Sequence, residues 1–205
     1  MWFRIWKFNW LSVFFPNVYW QGANKNAIYL TFDDGPNPIV TPQVLDLLEE
    51  YKVHATFFCV GENIEKHPEL YSRIIASGHL IGNHTHNHDN GWRIKANAYI
   101  NSVERTHAIT NSRFFRPPYG KINLKSINKI KALGNKIVFW SWLSRDYDST
   151  ISNAQILKAS LKIKGGDILV FHDNEKTKDR IIPLLKNIVP ALLSKNLTFR
   201  TLENL

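Results

Sequence analysis

The sequence predicts an α/β fold, a distorted and compact (β/α) barrel with about seven parallel strands. Three observations predict it. From residue 26 onward, strand-like and helix-like segments alternate about seven times without a break, the pattern of parallel βαβ units. Segments such as 55–60 (ATFFCV) are continuous apolar runs, as in strands buried on both faces. The 205 residues suffice for one domain, yet fall short of the ~250 of a regular eight-fold barrel. An open doubly wound sheet also fits the alternation; the number of units favours the barrel.

Each element has its own signal. Residues 26–32 (NAIYLTF) read as the first strand, rich in aromatic and branched residues. Thr41 suits an N-cap and Pro42 the first helical position. Val44, Leu47, Leu48 and Tyr51 then mark one helical face. Residues 55–60 form the second strand. A helix spans 68–77, stopped by Gly78, and residues 79–83 form a short third strand. Helix 95–110 leads to a brief strand at 114–116, and helix 124–133 to a strong strand at 136–142. Helix 153–163 precedes strand 167–172. An interrupted helix over 179–194 and a last strand at 197–200 complete the chain. No linker or repeat interrupts residues 23–205, which we read as one domain.

Residues 1–22 read as an aromatic-rich arm. Trp2, Trp6 and Trp10 recur every four residues, with Arg4 and Lys7 between them. The uninterrupted apolar stretch and small-residue cleavage site of a signal peptide are missing. Two readings stand, an arm packed on the domain and an interfacial segment of the Trp/Arg/Lys kind.

Hydrophobic residues are 44% and charged residues 21% of the chain, globular values that exclude disorder, collagen and coiled coil. The single Cys59 excludes an internal disulfide framework and a cysteine zinc site. Net charge is +9, unevenly spread. Residues 1–102 hold 8 Lys/Arg against 9 Asp/Glu, and residues 103–205 hold 18 against 8. A basic half suits an anionic partner such as a cell-envelope surface. No nucleic-acid-binding motif accompanies the charge, so nucleic acid is not expected. A monomer is expected.

Polar groups gather at the strand ends, where parallel barrels carry their chemistry. The first strand runs into Thr31-Phe32-Asp33-Asp34-Gly35-Pro36, and the third into His84-Thr85-His86-Asn87-His88. The others end in Arg116-Pro117-Pro118-Tyr119-Gly120, Ser144-Arg145-Asp146-Tyr147 and Phe171-His172-Asp173. His84 and His88 are four apart, a spacing that one helical turn aims in one direction. Two histidines and a carboxylate make a catalytic zinc set. His86 is read as a non-ligand. Asp33 and Asp34 should leave their strand in opposite directions, because side chains alternate. One is then free to bind metal while the other serves as a base; an Asp-Gly turn fits the same residues. His172 follows an apolar strand, and imidazole suits proton transfer near neutrality.

With these motifs in view, residues 26–200 resemble the NodB-homology polysaccharide deacetylases, carbohydrate esterase family 4, of a short bacterial type. TFDDGP (31–36), HTHNH (84–88), RPPYG (116–120) and LVFHD (169–173) match four family motifs in order. The resemblance implies a distorted (β/α) barrel and one divalent metal held by Asp34, His84 and His88, usually zinc, with cobalt or nickel as substitutes. It implies Asp33 as general base, paired with Arg116, and His172 as general acid, oriented by Asp146. The Tyr119 backbone N–H would hold the oxyanion, and Pro117, Tyr119, Tyr147 and Val170 would meet substrate. The implied activity is removal of acetyl groups from N-acetylglucosamine polymers, peptidoglycan or chitin-like, which suits the cell envelope. An O-deacetylase of the acetylxylan type and a glycan-binding relative with weak activity are the alternatives. One motif departs from the family. Where Asp-x-x-Asp-Trp is usual, this chain has Leu143-Ser144-Arg145-Asp146-Tyr147, so the groove wall differs while Asp146 is kept.

Overall fold

The structure, a computed structural model, describes residues 18–205; Trp2, Trp6 and Trp10 lie outside the described residues. Among the described residues, nine strands form one sheet. They are β1 (Val18–Tyr19), β2 (Ala27–Asp33), β3 (Thr56–Cys59), β4 (Leu80–Asn83), β5 (Phe114–Phe115), β6 (Lys136–Val138), β7 (Trp142–Leu143), β8 (Ile168–His172) and β9 (Thr198–Phe199). Their order is β1-β6-β5-β4-β3-β2-β8-β7, with β9 joined to the start of β2, and every pairing is parallel. The helices are α1 (Val40–Glu50), α2 (Gly61–Lys66), α3 (Pro68–Ala76), α4 (Ala96–Thr110), α5 (Ile127–Ala132), α6 (Asn153–Ser160) and α7 (Ile181–Leu193). The result is a parallel half-barrel with helices outside, the distorted (β/α) architecture expected from the alternation.

The strand expected over 136–142 is two strands. β6 pairs with β5 and β1, whereas β7 pairs with β8 at the opposite end of the sheet. No continuous strand can serve both edges. Phe139 donates its N–H to Tyr19 O (2.8 Å), and Ser141 donates its N–H to Ile168 O (3.1 Å). Only residues 139–141 separate the two strands, a reach of at most ~14 Å. The sheet must therefore curl until its edges nearly meet. Residues 18–22, at the end of the segment read as an arm, take part in this closure. β1 pairs with β6, Trp20 stacks on Phe139 with centroids 4.3 Å apart, and Gln21 bridges to Asp167.

β2 is buried throughout and divides its side chains by parity. Ile28, Leu30 and Phe32 face the outer core, with Phe57, Leu169, Phe171 and the apolar faces of α1 and α7. Ala27 and Tyr29 face inward, with Phe58, Phe114, Val138 and Ile168. Thr31 and Asp33 continue that inward row. In register, Asp33 lies opposite His172 and Thr31 opposite Val170. The same parity on two neighbouring strands thus carries four inward side chains to one end of the barrel.

Two local expectations change. Thr41 is not the cap of α1; it lies in the first turn. Asn37 Oδ1 instead accepts the Ile39 and Val40 N–H groups, both at 3.0 Å. Thr41 Oγ1 accepts the Asn37 N–H (2.7 Å) and donates to Asp173 (2.6 Å), tying the helix start to the end of β8. The short α2 has a single buried apolar side chain, Ile64, too little periodicity to be read from sequence.

Candidate active site

The mouth above β2, β4 and β8 is a cleft of about 680 Å³. Asp33, Asp34, His84, His88, Pro117, Tyr119, Tyr147, Val170 and His172 all line it. Arg116 and Asp146 are fully buried behind the lining. The polar strand ends therefore converge, but two of them do so differently from expectation.

First, Asp33 and Asp34 do not diverge. Asp34 has φ 83°, a left-handed backbone that breaks strand alternation. Both carboxylates then face His84, whose Nε2 is 4.0 Å from Asp33 Oδ2 and 3.4 Å from Asp34 Oδ1. The turn is held from outside. Asn63 donates to Asp34 O (2.8 Å), and the Gly35 N–H donates to Asp173 Oδ1 (3.1 Å). A Cβ on Gly35 would sit 2.1 Å from Asp173 Oδ2, so close approach requires glycine there.

Second, His84 and His88 are not joined by a helical turn. Residues 84–88 form an irregular loop with left-handed φ at Thr85 (63°) and His88 (55°). The Asn83 side chain accepts the Thr85 N–H (2.9 Å), Thr85 Oγ1 accepts the Asp89 N–H (2.9 Å), and Ser102 Oγ accepts the His86 N–H (2.8 Å). These bonds aim both outer histidines at Asp34. His86 is directed to the other side, with Nε2 3.6 Å from Glu65.

The chemistry of the donor set fits a divalent metal. One ligand atom from each of Asp34, His84 and His88 lies within 4.8 Å of the others. His84 Nδ1 is 2.8 Å from Arg116 O. A carbonyl only accepts, so Nδ1 carries a proton toward it, and Nε2 is the ring nitrogen turned to Asp34. His84 Nε2 (3.4 Å) and His88 Nε2 (3.0 Å) both approach Asp34 Oδ1. Two imidazole nitrogens and a carboxylate oxygen directed at one point are the donor types that hold a divalent cation. His84 is 2% exposed, Asp34 20% and His88 28%, so the group is closed at its base and open toward the cleft. Burial pushes the Asp34 carboxyl up. Its contacts with His84 and His88 outweigh this and hold it well below the carboxylate range. Asp34 Oδ2 accepts from Asn174 (2.6 Å).

Arg116 organises the neighbouring wall. Its guanidinium donates to Asp33 Oδ1 (2.7 Å), Thr31 Oγ1 (2.6 Å), Val138 O (3.2 Å) and Phe139 O (3.0 Å). It also lies 4.1 Å from the centre of the Phe58 ring. Across the cleft, Asp146 grips His172 twice. Oδ1 is 2.7 Å from Nδ1, and Oδ2 accepts the His172 backbone N–H at 2.8 Å. Burial alone would lower the His172 pKa. Asp146, with Asp34 and Asp33, overrides burial and raises it to about 9, so the imidazole is charged at neutral pH.

Sequence reasoning missed three contributors. Trp140 lines the cleft beside Leu143, inside a segment read as plain strand. Asn174 braces Asp34 from two residues beyond His172; extending the strand-end inspection by one turn would have found it. Arg180 donates to Asp146 O (2.9 Å), Asp148 O (2.8 Å), Ile151 O and Asn153 Oδ1 (2.9 Å). It clamps the loop that carries Asp146 and Tyr147. No local signal marks a residue 34 positions away.

The chain is similar to known proteins along nearly its whole length. Residues 21–138 match the polysaccharide deacetylase family. A peptidoglycan-N-acetylglucosamine deacetylase of Bacillus cereus is 35% identical over 92% of this chain and 92% of its own. A chitooligosaccharide deacetylase of Sinorhizobium fredii is 31% identical over 89% and 93%. Among solved structures, a peptidoglycan N-acetylglucosamine deacetylase in complex with a naphthalenyl N-hydroxybenzamide superposes with a TM-score of 0.88, 33% identity and coverage of 95% and 94%. The half-barrel, the motif-bearing strand ends and these likenesses agree: the chain belongs to the polysaccharide deacetylases, the NodB-homology enzymes of carbohydrate esterase family 4.

Proposed function

We propose that this enzyme removes N-linked acetyl groups from N-acetylglucosamine residues of a polysaccharide, either peptidoglycan strands or chitin-like oligosaccharides. One observation carries the reading. A carboxylate–imidazole donor set stands in one cleft with Asp33 and His172, which are register partners on adjacent strands. Parallel strands lie ~4.8 Å apart, so a candidate proton acceptor and proton donor stand side by side at the floor of the cleft.

Asp34, His84 and His88 would hold the metal, which we assign as zinc from two imidazoles and one carboxylate. Bound there, the ion supplies Lewis acidity, polarising the acetyl carbonyl and lowering the pKa of water. The chain's own residues manage the protons. Arg116 fixes Asp33 Oδ1 and leaves Oδ2 on the His84 side to take the proton of the attacking water. The Tyr119 N–H, presented from a backbone with φ 59°, is the oxyanion donor. Such a donor contributes roughly 3–4 kcal/mol in comparable sites. Asp146 binds Nδ1 of His172, leaving Nε2 to protonate the departing amine. An amine is a poor leaving group without that proton, and the raised pKa of His172 keeps it available. Tyr147 packs edge-on against His172, with centroids 4.8 Å apart, and Leu143 and Val170 add an apolar wall for the acetyl methyl.

Acetate release tests the reading. Chitooligosaccharide or peptidoglycan should yield acetate, and acetylated xylan distinctly less. A chelator should abolish release and zinc restore it. Asp33→Asn should keep its metal and lose about 10²–10⁴-fold in kcat. Release that ignores the chelator, or a preference for acetylxylan, would overturn the assignment.

A further inference from the structure

The charges around the cleft do not balance, and the imbalance points to a kind of substrate. Among the described residues, four carboxylates line the mouth, and each is accounted for. Asp33 is bound to Arg116, and Asp34 belongs to the metal-binding set. Glu62 pairs with Lys66 and Glu175 with Lys178, both at 2.7 Å. Two lysines, Lys121 and Lys176, line the same cleft. Neither has a carboxylate partner among the described residues.

Lys121 is held at its side chain and Lys176 at its backbone. Lys121 Nζ lies 5.2 Å from the centre of the Trp92 ring, a cation–π contact. The ring is anchored by its indole N–H, which donates to Ile122 O (3.2 Å), although the residue is 71% exposed. The Lys121 backbone donates to Pro118 O (3.0 Å) and accepts from the Gly91 N–H (3.1 Å). Lys176 sits in the turn Glu175–Thr177, and its N–H donates to Asn174 Oδ1 (2.9 Å). Asn174 is the residue that braces Asp34. The two ammonium groups thus belong to the segments that carry Tyr119 and His172.

We infer that Lys121 and Lys176 make the cleft selective for acetylated glycans bearing carboxylates beside the reacting N-acetylglucosamine. The inference rests on the deacetylase reading above and narrows its substrate. A chitin-type chain is neutral and leaves both cations unanswered. In peptidoglycan, each N-acetylglucosamine neighbours a sugar whose lactyl-ether carboxyl is a free carboxylate where no peptide stem is attached and a neutral amide where one is, the stem then carrying carboxylates of its own. The excess of 18 Lys/Arg over 8 Asp/Glu in residues 103–205 adds a favourable field for such a polyanion.

The test compares wild type, Lys121→Gln, Lys176→Gln and the double variant on three glycans of equal length. These are a stem-free strand carrying lactyl carboxylates, the same strand with its carboxylates amidated, and a neutral chitooligosaccharide. A fourth arm carries intact stems, separating sugar from peptide carboxylates. Dissociation constants are measured alongside kcat/KM. The double variant should lose about fivefold in kcat/KM on the carboxylate strand, mainly through KM, and under twofold on the neutral glycan. Amidation should reproduce the loss in wild type, and arginine at both positions should restore it. Equal losses on all glycans, or none, would overturn the inference while acetate release still upheld the deacetylase reading. If wild type released no acetate from any glycan, that reading would fail, and the dissociation constants would decide the inference. Lysine-dependent preference for the carboxylate strand would sustain it; equal binding would end it.

Discussion

Two polar clusters share the mouth of this barrel, separated by the 4.0 Å between Asp33 Oδ2 and His84 Nε2. Around Arg116 every visible demand is met from within the chain. Its guanidinium reaches a carboxylate, a hydroxyl and two carbonyls, and its plane rests on Phe58. Around Asp34 three metal-ligand atom types converge instead, two imidazole nitrogens turned toward one carboxylate oxygen. The first cluster is complete as folded, so its loss should unravel structure. The second gathers donors that could hold a cation at the open cleft, so its loss should cost a ligand. Buried groups are normally satisfied within the fold, and a place where ligand-type atoms converge on an open cleft marks a site built for something more.

The largest expected effect comes from breaking the complete cluster. Arg116→Met removes the partner of a buried carboxylate and should destabilise the protein by about 3–5 kcal/mol. Urea unfolding checks this. A loss under about 1 kcal/mol would mean that Arg116 is not the structural member of the pair.

A smaller effect sharpens the other side. Zinc at about 100 times its dissociation constant should stabilise the protein by about 2.7 kcal/mol over the chelated form, a rise in Tm of several degrees. His84→Ala with His88→Ala should erase that rise, whereas Asp33→Asn should retain it. Undiminished metal content in the double-histidine variant would refute the ligand assignment.

The smallest effect concerns His172, read by NMR in the metal-free protein. Its pKa is raised to about 9 from an ordinary 6.5, against burial and through Asp146 first. Folding therefore favours the protonated ring. The stability this contributes is fully present below about pH 6.5 and fades as pH climbs through 9. Asp146→Asn should drop the His172 pKa by about one to three pH units and narrow that window. An unchanged titration would show that other charges hold the proton.

Much of this architecture was legible before any coordinates. Alternation marked the βαβ units, and the apolar runs marked strands covered on both sides, because periodicity is a local property of the chain. The polar residues at strand ends announced where chemistry would gather. The failures were equally physical. Strand 136–142 broke because closing the sheet requires the chain to change edges, a demand no window of residues expresses. Asp33 and Asp34 came to face one histidine because of a single left-handed residue. Asn63, Asp173 and Asn174, remote in sequence, hold that turn and its carboxylate in place. Arg180 escaped notice for the same reason, since its partners lie about thirty residues away.

By itself, then, the sequence determined the fold class, the strand ends where polar groups gather and the residue types found there. Hydrophobic period and residue chemistry act over a few positions and survive in one dimension. Only the tertiary structure decided which nitrogen of His84 faces Asp34, which carboxylate oxygen Arg116 occupies, and that Lys121 and Lys176 stand unanswered at one mouth. Those outcomes depend on hydrogen bonds and charges from segments far apart in the chain. Such interactions vary with distance in space, and the linear order of residues does not encode that distance directly.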